Sequence, residues 1–284
     1  MAGGPSGMTF IILVPGVGDA GSIAYVSAIP SAFHHISSQT GLADAVKTLN
    51  FTSPRPRDAI SPIGALIKMS TVQAREQMIE QQVRAWDVLD ARVLETLRHV
   101  PREAFVSAQH RFLAFADVEI PLPCGQHMLR PSVVGRLLQA LSLKGGERVL
   151  EVGAGSGFVT ACLRSSAASV RSLEIFPELA ELARRNIASL GLKDVEILTE
   201  DAARLDSDTR YDAIAVTASL PVPDERLQRQ LAVGGRLFVV VGTPPVMEAR
   251  LVRRVTEDAW GTESLFETVI DPLVHATSPQ GFVF

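Results

Sequence analysis

In the second half of the chain, short apolar runs alternate with longer amphipathic stretches. "RVLEV", "VRSLEI", "VEILTED", "YDAIAVTAS" and "GGRLFVVVG" read as strands. Between them, "FVTACLRSSA", "PELAELARRNIASLG" and "DERLQRQL" carry apolar residues at helical spacing. Strands alternating with helices indicate a parallel sheet covered by helices on both faces. "RLVRRVTED" and "SLFETVI" close the pattern as two further strands, expected to be antiparallel. The expected fold is α/β, a doubly wound, mostly parallel seven-stranded sheet.

Upstream the period becomes helical. "VQAREQMIEQQVRAWDVLDARVLETLRHV" places Met78, Ile79, Val83, Trp86, Val88, Leu89, Val93, Leu94 and Leu97 at helical spacings, with a break expected near residues 87–90. Asp90 is suited to cap the second helix, and Pro101 stops it. "SVVGRLLQALSL" reads as another amphipathic helix, ended by Lys144-Gly145-Gly146. Residues 69–143 therefore form an N-terminal helical cap and loop ahead of a sheet over 144–284. Residues 1–68 differ. They are rich in Gly, Ser, Pro and Ala, show no sustained period, and close on the prolines of "TSPRPRDAISP". A disordered or loosely packed extension without a chemical role is expected there, with Met69 a candidate start of the folded part.

Charge narrows the partners. The net charge is −4, and the extension holds four Lys/Arg against three Asp/Glu, so the remainder is at −5. An acidic core argues against nucleic acid as a partner. No run is long enough to cross a bilayer, and no Lys or Arg precedes Lys47, against the basic start of a secretory signal. The two cysteines, Cys124 and Cys162, match neither a disulfide framework nor a zinc cluster. A cytoplasmic monomer without a metal is expected.

The most informative run is "LEVGAGSGF". Gly153, Gly155 and Gly157 follow a strand and open a helix, where glycines permit a tight turn and close approach of a ligand. Glu174 ends the next strand, where an acid accepts from both hydroxyls of a ribose. A dinucleotide would want G-x-G-x-x-G, but position 158 is Phe. Glu151, two residues before the first glycine, suits a ligand with positive ammonium and sulfonium groups. S-adenosylmethionine is such a ligand and is favoured; a dinucleotide, or a nonbinding glycine turn, stays open. Asp201 and Ala202 would meet an adenine amino group, and Thr217 would border the methionine side.

With these residues the chain resembles the protein-L-isoaspartate O-methyltransferase family. The resemblance runs from about Gln77 to Leu273. It rests on "VPREAFV", "AFADVEIPLPCGQ", "RVLEVGAGSGF", "VPDERLQRQLAVGGRLFVVVG" and the closing "DPL". The resemblance implies a Rossmann-like class I methyltransferase with S-adenosyl-L-methionine as methyl donor. The acceptor it implies is the α-carboxyl of an L-isoaspartyl residue in damaged protein, whose methyl ester decays through a succinimide and allows repair to aspartate. Such a carboxylate is already a nucleophile at neutral pH, its reference pKa being about 4, so neither base nor metal is required.

The chain departs from the family at one place. After the Gly-Gln pair the family reads Thr-Ile-Ser, a variable residue and Pro, and the serine is the residue usually given the acceptor-orienting role. Here His127, Met128 and Leu129 stand there, followed by Arg130 and Pro131. Leucine has no donor. Gln126, His127 and Arg130 are the candidate acceptor residues, with Arg130 able to fork onto a carboxylate. The alternatives are a related methyltransferase with another protein or small-molecule acceptor, or a regulatory protein that binds the cofactor without isoaspartyl activity. Met128 and Leu129 are expected to pack beneath the loop, as is Cys124. The turn "PPVME", Pro244 to Glu248, is a further candidate for the acceptor side.

Overall fold

Each central strand of the sheet turns alternate side chains into two separate apolar layers. In the computed structural model the strands are β1 (Arg148–Val152), β2 (Ser169–Glu174), β3 (Val195–Thr199), β4 (Tyr211–Leu220), β5 (Leu231–Thr243), β6 (Val246–Arg254) and β7 (Trp260–Glu267). Val149, Ala213, Ala215, Phe238 and Val240 enter one layer; Leu150, Val152, Ile214, Val216, Leu237 and Val239 enter the other. This period-two alternation is what a sheet buried on both faces requires.

The structure describes residues 71–204 and 209–277, together with the strands Phe10–Ile12 and Ala24–Val26. By contacts the chain divides into two units, Met1–Ile60 and Ser61–Phe284. In the first, Phe10–Ile12 and Ala24–Val26 pair antiparallel. Beyond those strands, the expectations for residues 1–68 and for Met69 lie outside the described residues.

The strand order is β3-β2-β1-β4-β5-β6-β7. The first five strands are parallel, and β6 runs antiparallel to both β5 and β7, as expected for the closing pair. The chain travels from β1 to β3 on one side, then crosses to β4 on the other. Ligands bind at such reversals, outside the carboxyl ends of the strands. The helices are α1 (Ala91–His99), α2 (Pro131–Leu141), α3 (Phe158–Arg164), α4 (Pro177–Ser189) and α5 (Glu225–Arg229).

The segment before the sheet breaks where the sequence suggests. Residues 71–78 are helical, a π turn covers Ile79–Val83, a 3-10 turn covers Arg84–Trp86, and Asp87 ends the run at φ 59°. Asp90 caps α1 by accepting from the Arg92 N–H at 2.8 Å. Gly135 on α2 lets this segment come close, since a Cβ there would meet Val83 Cγ1 at 2.8 Å. The last strand differs from expectation. It starts at Trp260 and ends at Glu267, so Thr268 to Ile270 leave the sheet. From there a strap crosses the end of β4: Ser219 N–H donates to the Asp271 carbonyl and Leu273 N–H to the Ser219 carbonyl, both at 2.8 Å.

Candidate active site

The turn after β1 and the strap together wall a concave cleft that is partly open to solvent. Gly153, Gly155, Glu174, Asp201, Ala202 and Thr217 line one end; Gln126 and His127 line the other. Of the expected residues, Glu151, Gly157 and Arg130 do not line it.

The first end is built largely by backbone. Gly153, Gly155 and Gly157 have φ of 96°, 53° and 85°, the left-handed region that side chains disfavour. A Cβ on Gly153 would collide with Thr217 Oγ1, which lies against the Val152 and Gly153 carbonyls at 3.0 and 2.6 Å as their donor. Gly157 packs on α4, where a Cβ would meet Ala183 Cα at 3.2 Å. The Glu174 carboxylate is buried and accepts from Gly155 N–H at 2.9 Å and Phe176 N–H at 3.0 Å. Its place at the end of β2, beside the turn, suits a ribose. Asp201 accepts from Ala203 N–H at 2.9 Å and pairs with His275 Nδ1 at 2.8 Å. Partial burial would raise the Asp201 pKa; the His275 hydrogen bond and the Ala203 N–H outweigh it and hold the carboxyl below its ordinary range.

Glu151 is a correction to the sequence reading. Its side chain lies fully buried beneath the turn, where Oε2 accepts from Thr160 Oγ1 at 2.5 Å and Ser172 Oγ at 2.6 Å. Oε1 has no partner among the described residues. Burial pushes the carboxyl up to about 8, against the lowering by Ser172 and Thr160. Burial thus favours its neutral form, and Oε2 is turned to Thr160 and Ser172 and not to the cleft. The register that sets Glu151 beside Ser172 comes from the β1–β2 pairing, which a linear reading does not display.

The second end is built by side chains from distant segments. Leu122 N–H donates to the Gln126 carbonyl at 2.8 Å, closing a turn that holds Cys124 at φ 59°. Leu122 itself abuts the glycine turn: a Cβ on Gly155 would lie 3.3 Å from Leu122 Cδ1. His127 Nδ1 lies 2.9 Å from Asp271 Oδ2 on the strap. Met128 and Leu129 are buried under the loop, as expected. Arg130 is directed elsewhere, donating from Nη2 to Thr268 Oγ1 at 3.0 Å and sitting 5.9 Å from the Trp86 ring centroid. Cys124 is exposed, not packed, with Sγ 3.8 Å from Glu178 Oε2. The turn at Pro244 to Glu248 joins β5 to β6 and does not line the cleft.

Three participants were not picked out from the sequence. Glu119 lines the acceptor end; burial raises its carboxyl, Asp271 adds to this, and Arg130 and His127 oppose it. Asp271 lines the cleft and holds His127. Arg102 is fully buried, donating from Nε to the Ala114 carbonyl at 3.0 Å and from Nη2 to the Leu129 carbonyl at 2.8 Å. Its guanidinium lies 4.9 Å from the Phe158 ring centroid, and burial lowers its pKa to about 10. All three sit inside "VPREAFV", "AFADVEIPLPCGQ" or "DPL". Those motifs were the available signal, but nothing local shows which of their residues face a cleft.

A doubly wound sheet with a glycine turn, a carboxylate at the end of β2 and an acceptor loop against that turn defines an S-adenosylmethionine-dependent methyltransferase of the Rossmann-like class. The family model described as Protein-L-isoaspartate(D-aspartate) O-methyltransferase (PCMT) matches residues 73–277, and the chain belongs to that family. It is 40% identical over 203 residues to protein-L-isoaspartate O-methyltransferase 1 of Rhodopseudomonas palustris, covering 70% of this chain and 82% of that one. It is also 40% identical over 204 residues to protein-L-isoaspartate O-methyltransferase 2 of Pelobacter propionicus, covering 71% and 91%. Among solved structures, a Plasmodium falciparum chain described as a protein-L-isoaspartate O-methyltransferase in complex with S-adenosyl-L-homocysteine matches with a TM-score of 0.62. That match covers 72% of this chain and 97% of that one; at 20% identity it is a likeness of fold.

Proposed function

We propose that the chain transfers the methyl group of S-adenosylmethionine to the α-carboxyl of L-isoaspartyl residues in damaged protein or peptide. The ester so formed decays through a succinimide, which allows partial repair to aspartate. One observation carries the reading within its family: Leu122 of the acceptor loop rests on Gly155, so the glycine turn and the His127 loop wall one cleft.

The residues present fit the donor. Glu174 offers a buried carboxylate to the ribose hydroxyls, Asp201 and Ala202 border the adenine, and Gly153 and Thr217 border the methionine side. Gly155 and Gly157 shape the turn, and Glu151 supports it from beneath. Bound there, S-adenosylmethionine supplies an electrophilic methyl group on a sulfonium centre. The acceptor carboxylate is itself the nucleophile, since its reference pKa is about 4. The protein's contribution is alignment and exclusion of water, not proton removal. The loop at Gln126 to Leu129 and the strap at Asp271 to Leu273 supply both, because both line the cleft.

A monomer acting in the cytoplasm is part of this reading. Free Cys124 and free Cys162 support a reducing compartment. Among the described residues no helix is long and apolar enough to cross a membrane.

Replacement of the family hydroxyls at His127 and Leu129 favours a second reading, transfer to a different acceptor. Radiolabelled methyl transfer to an isoaspartyl peptide beside its aspartyl twin separates the two. Label is expected in the isoaspartyl peptide alone. Label in neither, while S-adenosylhomocysteine still raises the thermal midpoint, would remove the isoaspartyl acceptor and leave the second reading standing.

A further inference from the structure

His127 and Asp271 are 144 residues apart in the chain, yet they meet with Nδ1 and Oδ2 at 2.9 Å. Both residues line the cleft. Among the described residues no partner engages the other ring nitrogen, Nε2. A carboxylate on one nitrogen of an imidazole fixes the ring orientation and turns the other nitrogen away from it; a ring that donates from both nitrogens is the imidazolium. The strap cannot easily carry Asp271 away. Its carbonyl accepts from Ser219 N–H at 2.8 Å, and its neighbour Pro272 forms a parallel bridge with Ser219. The pair is thus a ring on a loop, held by a residue anchored to the sheet.

We propose that His127, oriented by Asp271, binds the acceptor carboxylate through Nε2–H and so stands in for the hydroxyls the family carries at positions 127 and 129. This rests on the isoaspartyl reading above and names the residue that grips its acceptor. His127 is the contact; Asp271 is a positioning residue.

The surrounding charges fit an anionic acceptor. Ionisable groups around this end include Glu119, His127, Arg130 and Asp271. Asp271 is already paired with His127, and burial favours the neutral form of Glu119. An incoming carboxylate at Nε2 would be the second anion on the ring, opposite Asp271. Arg130 donates from Nη2 to Thr268 and does not line the cleft.

The chemistry also says where the effect of removing His127 must appear. As the carboxylate oxygen bonds to the methyl carbon, the C–S bond breaks and its electron pair stays on sulfur. Negative charge on the carboxylate falls through the transition state, so a donor to it is strongest in the ground state. Loss of that donor raises the acceptor KM more than it lowers kcat.

The test uses the full chain with radiolabelled S-adenosylmethionine and an isoaspartyl peptide. His127→Ala is expected to lower kcat/KM by about 10- to 100-fold through KM, the range of a charge-assisted hydrogen bond. His127→Gln, which keeps a neutral donor, is expected to recover part of the loss. Asp271→Ala is expected to give a smaller loss, and His127→Ala with Asp271→Ala together no more than His127→Ala alone, since the second residue acts through the first. The thermal shift caused by S-adenosylhomocysteine should be the same in all variants, which separates acceptor binding from folding and from the donor end. Wild-type KM retained in His127→Ala overturns the proposal. Losses that add in the double variant overturn the positioning role of Asp271. No transfer by the wild type overturns this inference and the isoaspartyl reading together.

Discussion

The two ends of the cleft are assembled in different ways. At the glycine end, apart from the Asp201–His275 pair, the partners are near neighbours in the chain or in adjacent strands. Gly155 N–H reaches Glu174 across 19 residues, and Phe176 N–H reaches it across two. Backbone amides and left-handed glycines do most of the holding. At the acceptor end the ties are long. Arg102 reaches the Leu129 carbonyl across 27 residues, Arg130 reaches Thr268 across 138, and His127 reaches Asp271 across 144. Side chains do the holding there. Backbone hydrogen bonds do not depend on side-chain identity, so the donor end is tied to φ/ψ and to a few glycines. A loop held by side-chain pairs can exchange its chemistry when both partners change. This difference fits a chain that keeps the donor turn and replaces the acceptor hydroxyls.

The sharpest way to break the comparison is to put a side chain into the glycine turn. Gly153→Ala would hold alanine at φ 96° and drive its Cβ into Thr217 Oγ1, displacing a hydroxyl that lies on two carbonyls. A loss of about 3 kcal/mol is expected, with loss of S-adenosylhomocysteine binding. Urea unfolding and calorimetric titration measure the two. A stable variant that still binds would mean the turn is more adaptable than its geometry implies.

Arg102→Met should be nearly as costly but should read out at the other end. It strands the Ala114 and Leu129 carbonyls in a buried site, at about 2–3 kcal/mol. In the folded fraction the acceptor KM should rise while donor affinity holds, because Arg102 ties the acceptor loop through the Leu129 carbonyl and meets the donor side only at the Phe158 ring. A variant whose donor affinity falls equally would show the two ends to be mechanically coupled.

The third effect concerns Glu151 and is the smallest only when counted per pH unit. Its carboxyl is raised to about 8 by burial, so between its unfolded pKa and pH 8 the folded state holds a proton the unfolded state has released. Stability from this group is therefore full below the unfolded pKa and declines as pH rises toward 8, by at most about 1.4 kcal/mol per pH unit. Glu151→Gln should flatten that part of the curve of urea midpoint against pH, measured from pH 5 to 9. An unchanged slope would mean that Glu151 is ionised in the folded protein.

Much of the sheet was readable because its signals are local. Period-two alternation marks β1, β4 and β5, and the break after Trp86 and the cap at Asp90 follow from residues within one turn. The glycine turn and Glu174 were legible for the same reason. The misreadings cluster where tertiary partners decide. Glu151 was read as a charge beside the ligand, but β-sheet register turns it toward Ser172 and α3. Arg130 was read as an acceptor fork, but Thr268 and Trp86 take it. The last strand was read too far, because the strap beyond Glu267 is drawn off to Ser219.

The sequence by itself therefore determined the doubly wound sheet, the donor turn with its carboxylate, and the family, since each is written in short-range periodicity or contiguous motifs. Tertiary structure alone set the surroundings of the positions where the hydroxyls are missing. Only the folded chain brings Asp271 to His127, buries Arg102 under Leu129 and neutralises Glu151, because burial and electrostatic pairing depend on distances in space that spacing along the chain does not encode.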